Sequence, residues 1–133
     1  MRITLESDYA LRILASMAEY DGVTDAKTIS SDTSVTLRFT LKILNKLVQG
    51  GIVESYKGAR GGYKLKASAT DISLKRVIEL IDGPIAISRC VESAGGCSLN
   101  YDKAACKLHH IFDGVSTELA NKLDKITIRD LLS

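Results

Sequence analysis

A chain of 133 residues, 45% hydrophobic and 26% charged, is sized for one compact domain, or for two small subdomains sharing a core, and is too apolar to be disordered. No apolar run approaches the roughly 20 residues of a membrane span. The opening MRITLESDYALRIL carries acids and lacks a signal-peptide layout, so a cytoplasmic protein with no membrane partner is expected. The net charge of +2 is unevenly distributed. Residues 1–35 hold three basic and six acidic side chains, 36–66 hold seven and one, and 67–133 hold eight and nine. One central window therefore carries the excess positive charge, which suits a polyanion or forms a solvated basic face.

Met1 to Thr4 alternates weakly, as a short edge strand or an arm would. A first helix is expected from Glu6 or Ser7 to about Tyr20, with Ala10, Leu14, Met17 and Ala18 on one face and Ile13 beside it. Asp21-Gly22 ends it. A shorter helix fits Asp25 to Ser31, with Thr24 as its cap, followed by a turn at Asp32-Thr33-Ser34. The third helix starts near Thr36, capped by Ser34 or Thr36, and runs to about Gln49. Its buried stripe reads as Leu37, Leu41, Leu44, Leu47 and Val48. Its outer face then carries Arg38, Lys42, Asn45 and Lys46, with Thr36, Phe39 and Thr40 near the N-terminus. A short helix, a tight turn and a second amphipathic helix form a helix-turn-helix pattern, although a generic three-helix bundle would show the same periodicity.

The next stretch favours the first reading. Ile52 to Tyr56 and Tyr63 to Leu65 read as antiparallel strands joined by Lys57-Gly58-Ala59-Arg60-Gly61-Gly62. A hairpin directly after a helix-turn-helix is a wing. Its glycines, Gly61 among them, allow close backbone approach, and Lys57 and Arg60 can meet phosphates or a minor groove. A phosphate-cradling nucleotide loop would need a helix directly after it, and here a strand follows.

Ala67 to Thr70 reads as linker, dividing the chain into a winged helix-turn-helix DNA-binding region, 1–66, and a second region, 67–133. A fourth helix, capped by Asp71 or Ser73, carries Leu74, Val77, Ile78 and Ile81. Asp82-Gly83-Pro84 breaks it. Val91 to Lys103 is rich in loop formers. A long helix is expected from about Lys103–Cys106 to Leu123, with Leu108, Ile111, Phe112, Val115, Leu119 and Leu123 at 3- and 4-residue steps. That stripe could close the core or form the seam of a homodimer; a winged domain reading a two-fold site favours the seam. Thr127 to Leu132 fits a short final helix. The fold class is thus mainly α with a β-hairpin wing: a winged helix-turn-helix plus a long C-terminal dimerisation helix.

All three cysteines and both histidines lie between Cys90 and His110, CVESAGGCSLNYDKAACKLHH. An odd number of cytosolic cysteines does not read as a disulfide framework. Cys106 and His109 are three apart, so in a helix their side chains share a face. Cys90 and Cys97 could bring two further sulfurs to the same centre. The wide spacings are looser than the Cys-x2–4-Cys knuckles of structural zinc and suit an iron–sulfur cluster better. A redox-active thiol and three unrelated cysteines remain the alternatives. His110 points about 100° away from His109 on a helix and reads as a neighbour.

Taken together, these residues resemble the Rrf-type winged-helix regulators. The resemblance runs nearly the whole length: Met1-Arg2-Ile3-Thr4 with Tyr9-Ala10; Leu44-Asn45-Lys46-Leu47 through Gly51-Ile52-Val53; the wing from Lys57 to Tyr63; Val77-Ile78 to Asp82. It continues through Arg89-Cys90, Gly95-Gly96-Cys97, Asp102-Lys103, Cys106 with His109, and Ile126-Thr127. Within that family the chain is most similar to the branch that regulates iron–sulfur cluster biogenesis. The resemblance implies a homodimeric, cytoplasmic bacterial transcription regulator, most simply a repressor, that binds a double-stranded DNA operator. It also implies a 2Fe–2S cluster on Cys90, Cys97, Cys106 and His109, delivered by the cluster-assembly machinery. The expected DNA contacts are Thr36, Arg38, Phe39, Thr40 and Lys42 on the third helix, with Lys57, Arg60 and Gly61 on the wing. Two features depart from that branch: both intervals between cysteines are longer, and Leu41 stands where its recognition helix has a glutamate. Other readings are a nitric-oxide or iron sensor with a 4Fe–4S cluster, a cluster-free thiol sensor and, from another class, a zinc-stabilised module whose basic patch binds RNA or an acidic protein. No enzymatic role is expected, since no nucleophile–base constellation is visible.

Overall fold

The computed structural model describes residues 2–92, 99 and 102–132. Helix α1 (Leu5–Ala18) is capped by Thr4, whose hydroxyl accepts the Ser7 N–H at 3.1 Å. It therefore starts one or two residues earlier than expected, and Arg2 to Thr4 form an exposed arm outside any element. Helix α2 (Ala26–Thr33) is capped by Asp25, not Thr24. Thr24 is buried and pairs with Tyr63 across a single bridge, through N–H···O bonds of 2.9 and 2.8 Å in the two directions. Ser34 ends α2 in the left-handed conformation, φ +60°. Helix α3 (Leu37–Gln49) begins at Thr36, whose hydroxyl accepts the Phe39 N–H at 3.3 Å.

Strands β1 (Val53–Tyr56) and β2 (Gly62–Leu65) form the two-stranded antiparallel wing, with Tyr56 opposite Gly62. The Thr24 bridge ties β2 back to the start of α2. Only glycine fits at 62, where φ is +154° and an added Cβ would lie 2.5 Å from the Thr24 carbonyl oxygen. Helix α4 (Leu74–Asp82) starts at Ser73, one of the two caps the sequence offered, and not at Asp71. Its last residue, Asp82, accepts the Thr4 N–H at 3.1 Å and the Thr4 hydroxyl. The short α5 (Arg89–Glu92) carries Cys90. The long α6 (Lys107–Asp124) follows a 3-10 turn at Lys103–Ala105. Another 3-10 turn, Ile128–Leu131, occupies the place of the expected final helix and lies against α1.

Among the described residues the main core joins α1 to α4 with the C-terminal turn. Ala10, Ile13, Leu14 and Met17 of α1, Ile29 of α2, and Ile43, Leu44 and Leu47 of α3 pack with Ile72, Val77 and Ile128. The core thus crosses the expected boundary at 66/67, and the C-terminal residues help to stabilise the DNA-binding half. At α3 the register differs from expectation. The buried stripe is Thr40, Ile43, Leu44 and Leu47, while Leu37 and Leu41 are exposed. No helix among the described residues is long and apolar enough to cross a membrane.

Candidate nucleic-acid interface and metal centre

The outward side of α3 presents Thr36, Leu37, Arg38, Leu41, Lys42 and Asn45, all exposed. Of the five residues on this helix predicted to touch DNA, Thr36, Arg38 and Lys42 lie on that side. Phe39 is half-buried: its ring meets Tyr9 edge-on at 5.5 Å, with Lys42 Nζ 5.6 Å from its centroid. Thr40 is the correction. It is 0% exposed, and its hydroxyl donates to the Val35 carbonyl at 3.4 Å, so its side chain cannot reach a groove. A hydroxyl with a local carbonyl partner is buried at little cost. Leu41, 43% exposed, takes the outer position instead. Lys46 is held inward by Glu6 of α1, 2.6 Å away, which links α3 to α1.

Lys57 and Arg60 are exposed at the wing tip. The tip closes on the Gly61 N–H donating to the Gly58 carbonyl at 2.9 Å, and an added Cβ at Gly61 would sit 2.4 Å from the Tyr56 carbonyl oxygen. At the tip end of β1 the Tyr56 hydroxyl donates to the Glu54 carboxylate at 2.9 Å, and that bond holds the phenol above its ordinary pKa. The positive window of the sequence thus exposes cations on the outer face of α3 and at the wing tip.

The second site lies where α5 meets α6. Cys90, Cys106 and His109 line one cavity of about 200 Å³ together with Leu99, Lys103, Leu108 and Phe112. Cys106 is the N-cap of α6, and its sulfur accepts the His109 N–H at 3.5 Å. Among the described residues His109 Nδ1 is buried with no hydrogen-bond partner. His110 is engaged elsewhere, its Nε2 2.7 Å from the Ala104 carbonyl, and is exposed. Cys97 lies outside the described residues. Among the described residues no three His, Cys, Asp or Glu side chains approach closely enough to hold one metal ion. The donor chemistry nonetheless fits a thiolate- and imidazole-bound iron–sulfur group: two sulfurs and an orphaned ring nitrogen share one cavity. Lys103 and Phe112 were not anticipated there. Phe112 lies three residues after His109 on α6, so the helix-face rule could have found it; Lys103 belongs to the separate 3-10 turn before Cys106, and that rule does not reach it.

A family model, Rrf2, described as an iron-dependent transcriptional regulator, matches residues 3–133. An rrf2-like HTH-type transcriptional regulator of Rhodobacter capsulatus is 30% identical, over 98% of this chain and 92% of its own length. The HTH-type transcriptional regulator IscR of Klebsiella pneumoniae is 29% identical, over 100% of this chain and 80% of its own. In structure the chain is similar to CymR, the global cysteine regulator of B. subtilis. There the TM-score is 0.78 and the identity 23%, covering 98% of this chain and 95% of CymR. That likeness concerns the winged-helix fold alone.

Proposed function

The chain belongs to the Rrf2 family of DNA-binding transcriptional regulators, a non-enzymatic family, and from that premise we propose that it senses iron–sulfur cluster supply and represses cluster-biogenesis genes. The observation that carries this reading is the buried, unpartnered Nδ1 of His109 in the cavity that Cys90 and Cys106 also line. Cys90, Cys97, Cys106 and His109 would hold the group. A 2Fe–2S cluster held by these residues would supply a redox-active charge and would order the segment that carries its ligands.

The chain's own residues would do the rest. Arg38, exposed on α3, would read a guanine bidentately, and Lys42 would contact a phosphate. Lys57 and Arg60 would follow the backbone or the minor groove beside it. A second copy of the chain would cover the exposed row Leu108, Ile111 and Val115 of α6, giving the two-fold arrangement that a palindromic operator requires. Helix α4 packs against α6 on one side and meets α3 on the other. The Leu80 side chain packs over Gly50, where an added Cβ would lie 2.4 Å from its Cδ2, and Arg76 donates to the Gly51 carbonyl at 3.4 Å. A change of order at α5 and α6 could thus bias the pose of α3, as a ligand that prefers one conformer must. The cluster would come from the cytoplasmic assembly machinery.

The reading is tested by selecting duplexes from a random pool with cluster-loaded and metal-free protein and measuring both forms on the winners. At least one selected operator should bind the two forms with affinities about tenfold apart, near 1.4 kcal/mol of coupling. Equal affinities on every operator would exclude cluster sensing and leave a regulator whose Cys90 and Cys106 thiols, both free, sense oxidants instead.

A further inference from the structure

Helix α6 has eighteen residues, all described, and Ser116 alone among them is buried, at 2% exposure. Leu108 and Ile111, by contrast, are 58% and 60% exposed. A serine chosen for burial on such a helix has a partner to satisfy. Its hydroxyl oxygen accepts the Ile87 backbone N–H at 2.9 Å, joining segments 29 residues apart. Ser116 also lies on the face that carries His109 and Phe112, at steps of three and four residues. That face therefore lines the cavity at one end and grips the incoming chain at the other.

One residue beyond Ile87, Ser88 opens α5. Its carbonyl accepts the Val91 and Glu92 N–H groups at 3.2 and 3.1 Å, and its hydroxyl lies 3.1 Å from the Cys90 sulfur. We infer that Ser116 and Ser88 are positioning residues for Cys90: Ser116 fixes where the Ile87–Cys90 segment sits on α6, and Ser88 fixes the sulfur. This inference rests on the cluster reading, in which Cys90 must be brought to Cys106 and His109 across a gap that covalent connection alone does not close. Partners of this kind orient metal ligands, and hydrogen bonds to sulfur tune cluster potential.

The test compares full-length native, Ser116→Ala, Ser116→Thr and Ser88→Ala chains. The metal-free proteins receive an iodoacetamide pulse at about pH 9.5, above the ordinary thiol range. Cys90 and Cys106 labelling are then read separately by peptide mass mapping. Ser116→Ala and Ser88→Ala should each speed Cys90 labelling about fivefold, the size of one lost hydrogen bond, and leave Cys106 unchanged. Ser116→Thr keeps the hydroxyl and should restore the native rate. In reconstituted protein, Ser88→Ala should lower the reduction potential by a tenfold change in equilibrium, about 59 mV for one electron, at unchanged melting temperature. Native-like Cys90 labelling in either alanine variant, or equal acceleration at Cys106, overturns the inference. A native chain that takes up no cluster overturns the functional reading instead, and the labelling ratio then decides this one.

Discussion

Replacing Cys106 by alanine is expected to abolish cluster binding while leaving the metal-free fold nearly intact. Cys106 has two roles that separate cleanly. As the N-cap of α6 its sulfur accepts one N–H at a long 3.5 Å, and losing a cap of this kind costs about 1 kcal/mol. As a cluster ligand it has no substitute among the described residues: Cys90 and His109 lie on the same cavity and His110 is turned to the Ala104 carbonyl. Loss even of an outer partner typically costs a metal site 10–100-fold in affinity, and loss of a ligand about 100-fold or more. Iron per chain after anaerobic reconstitution should therefore fall to background, whereas the melting temperature of the metal-free protein should drop by only about 2–6 °C. Full iron occupancy in this variant would remove Cys106 from the ligand set.

The second large effect is expected at the wing. Lys57 and Arg60 are exposed at its tip and accompany the α3 cations in the one strongly basic stretch of the chain. Each phosphate neutralised adds about 0.9 to the slope of log affinity against log salt. The double variant Lys57→Ala, Arg60→Ala should thus flatten that slope by about 2 and weaken operator binding by roughly 10–100-fold at moderate salt. Arg38→Ala should behave differently, relaxing base preference by about 1–3 kcal/mol at one position with little change in slope beyond one contact. If affinity and slope both survive the double change, the wing does not touch DNA and α3 carries recognition alone.

Much of this arrangement was legible from periodicity and punctuation. The stripe Leu74, Val77, Ile78 and Ile81 located α4 with its Ser73 cap, and the glycine-rich link between two short β-patterned runs located the wing. The phase of α3 was not legible. That helix has apolar residues on two rows, and Leu37 and Leu41 form as regular a stripe as Ile43 and Leu47. What decides between them is Thr40, which reads as polar yet is buried because Val35 offers its hydroxyl a carbonyl. A partner supplied by the preceding turn cannot be seen in a hydropathy pattern. The caps of α1 and α2 were missed for a related reason: Thr4 is also held by Asp82, 78 residues away, and Thr24 is diverted into pairing with Tyr63.

The site divides in the same way. The step from Cys106 to His109 was visible as a helix face, and both residues do line one cavity with Cys90. Ser88 and Ser116 carried no signal, because serine in a helix or loop is ordinary until its neighbour across 29 residues is known. The apolar row of α6 was visible as a row, but whether it closes the core or faces outward depends on the packing of α4 and α5 against the other side of the helix. In this chain the row splits: Leu108, Ile111 and Val115 face outward, whereas Phe112, Leu119 and Leu123 are half-buried.

The most direct measurement is the ultraviolet–visible spectrum of the protein purified without oxygen, with iron and sulfide determined on the same sample, for the native chain and for His109→Ala. Visible charge-transfer bands with about two irons and two sulfides per chain, shifted or weakened when His109 is lost, are the predicted result for a cluster held by three cysteines and one histidine. A colourless native protein that stays colourless after reconstitution, or that holds stoichiometric zinc, would contradict cluster sensing.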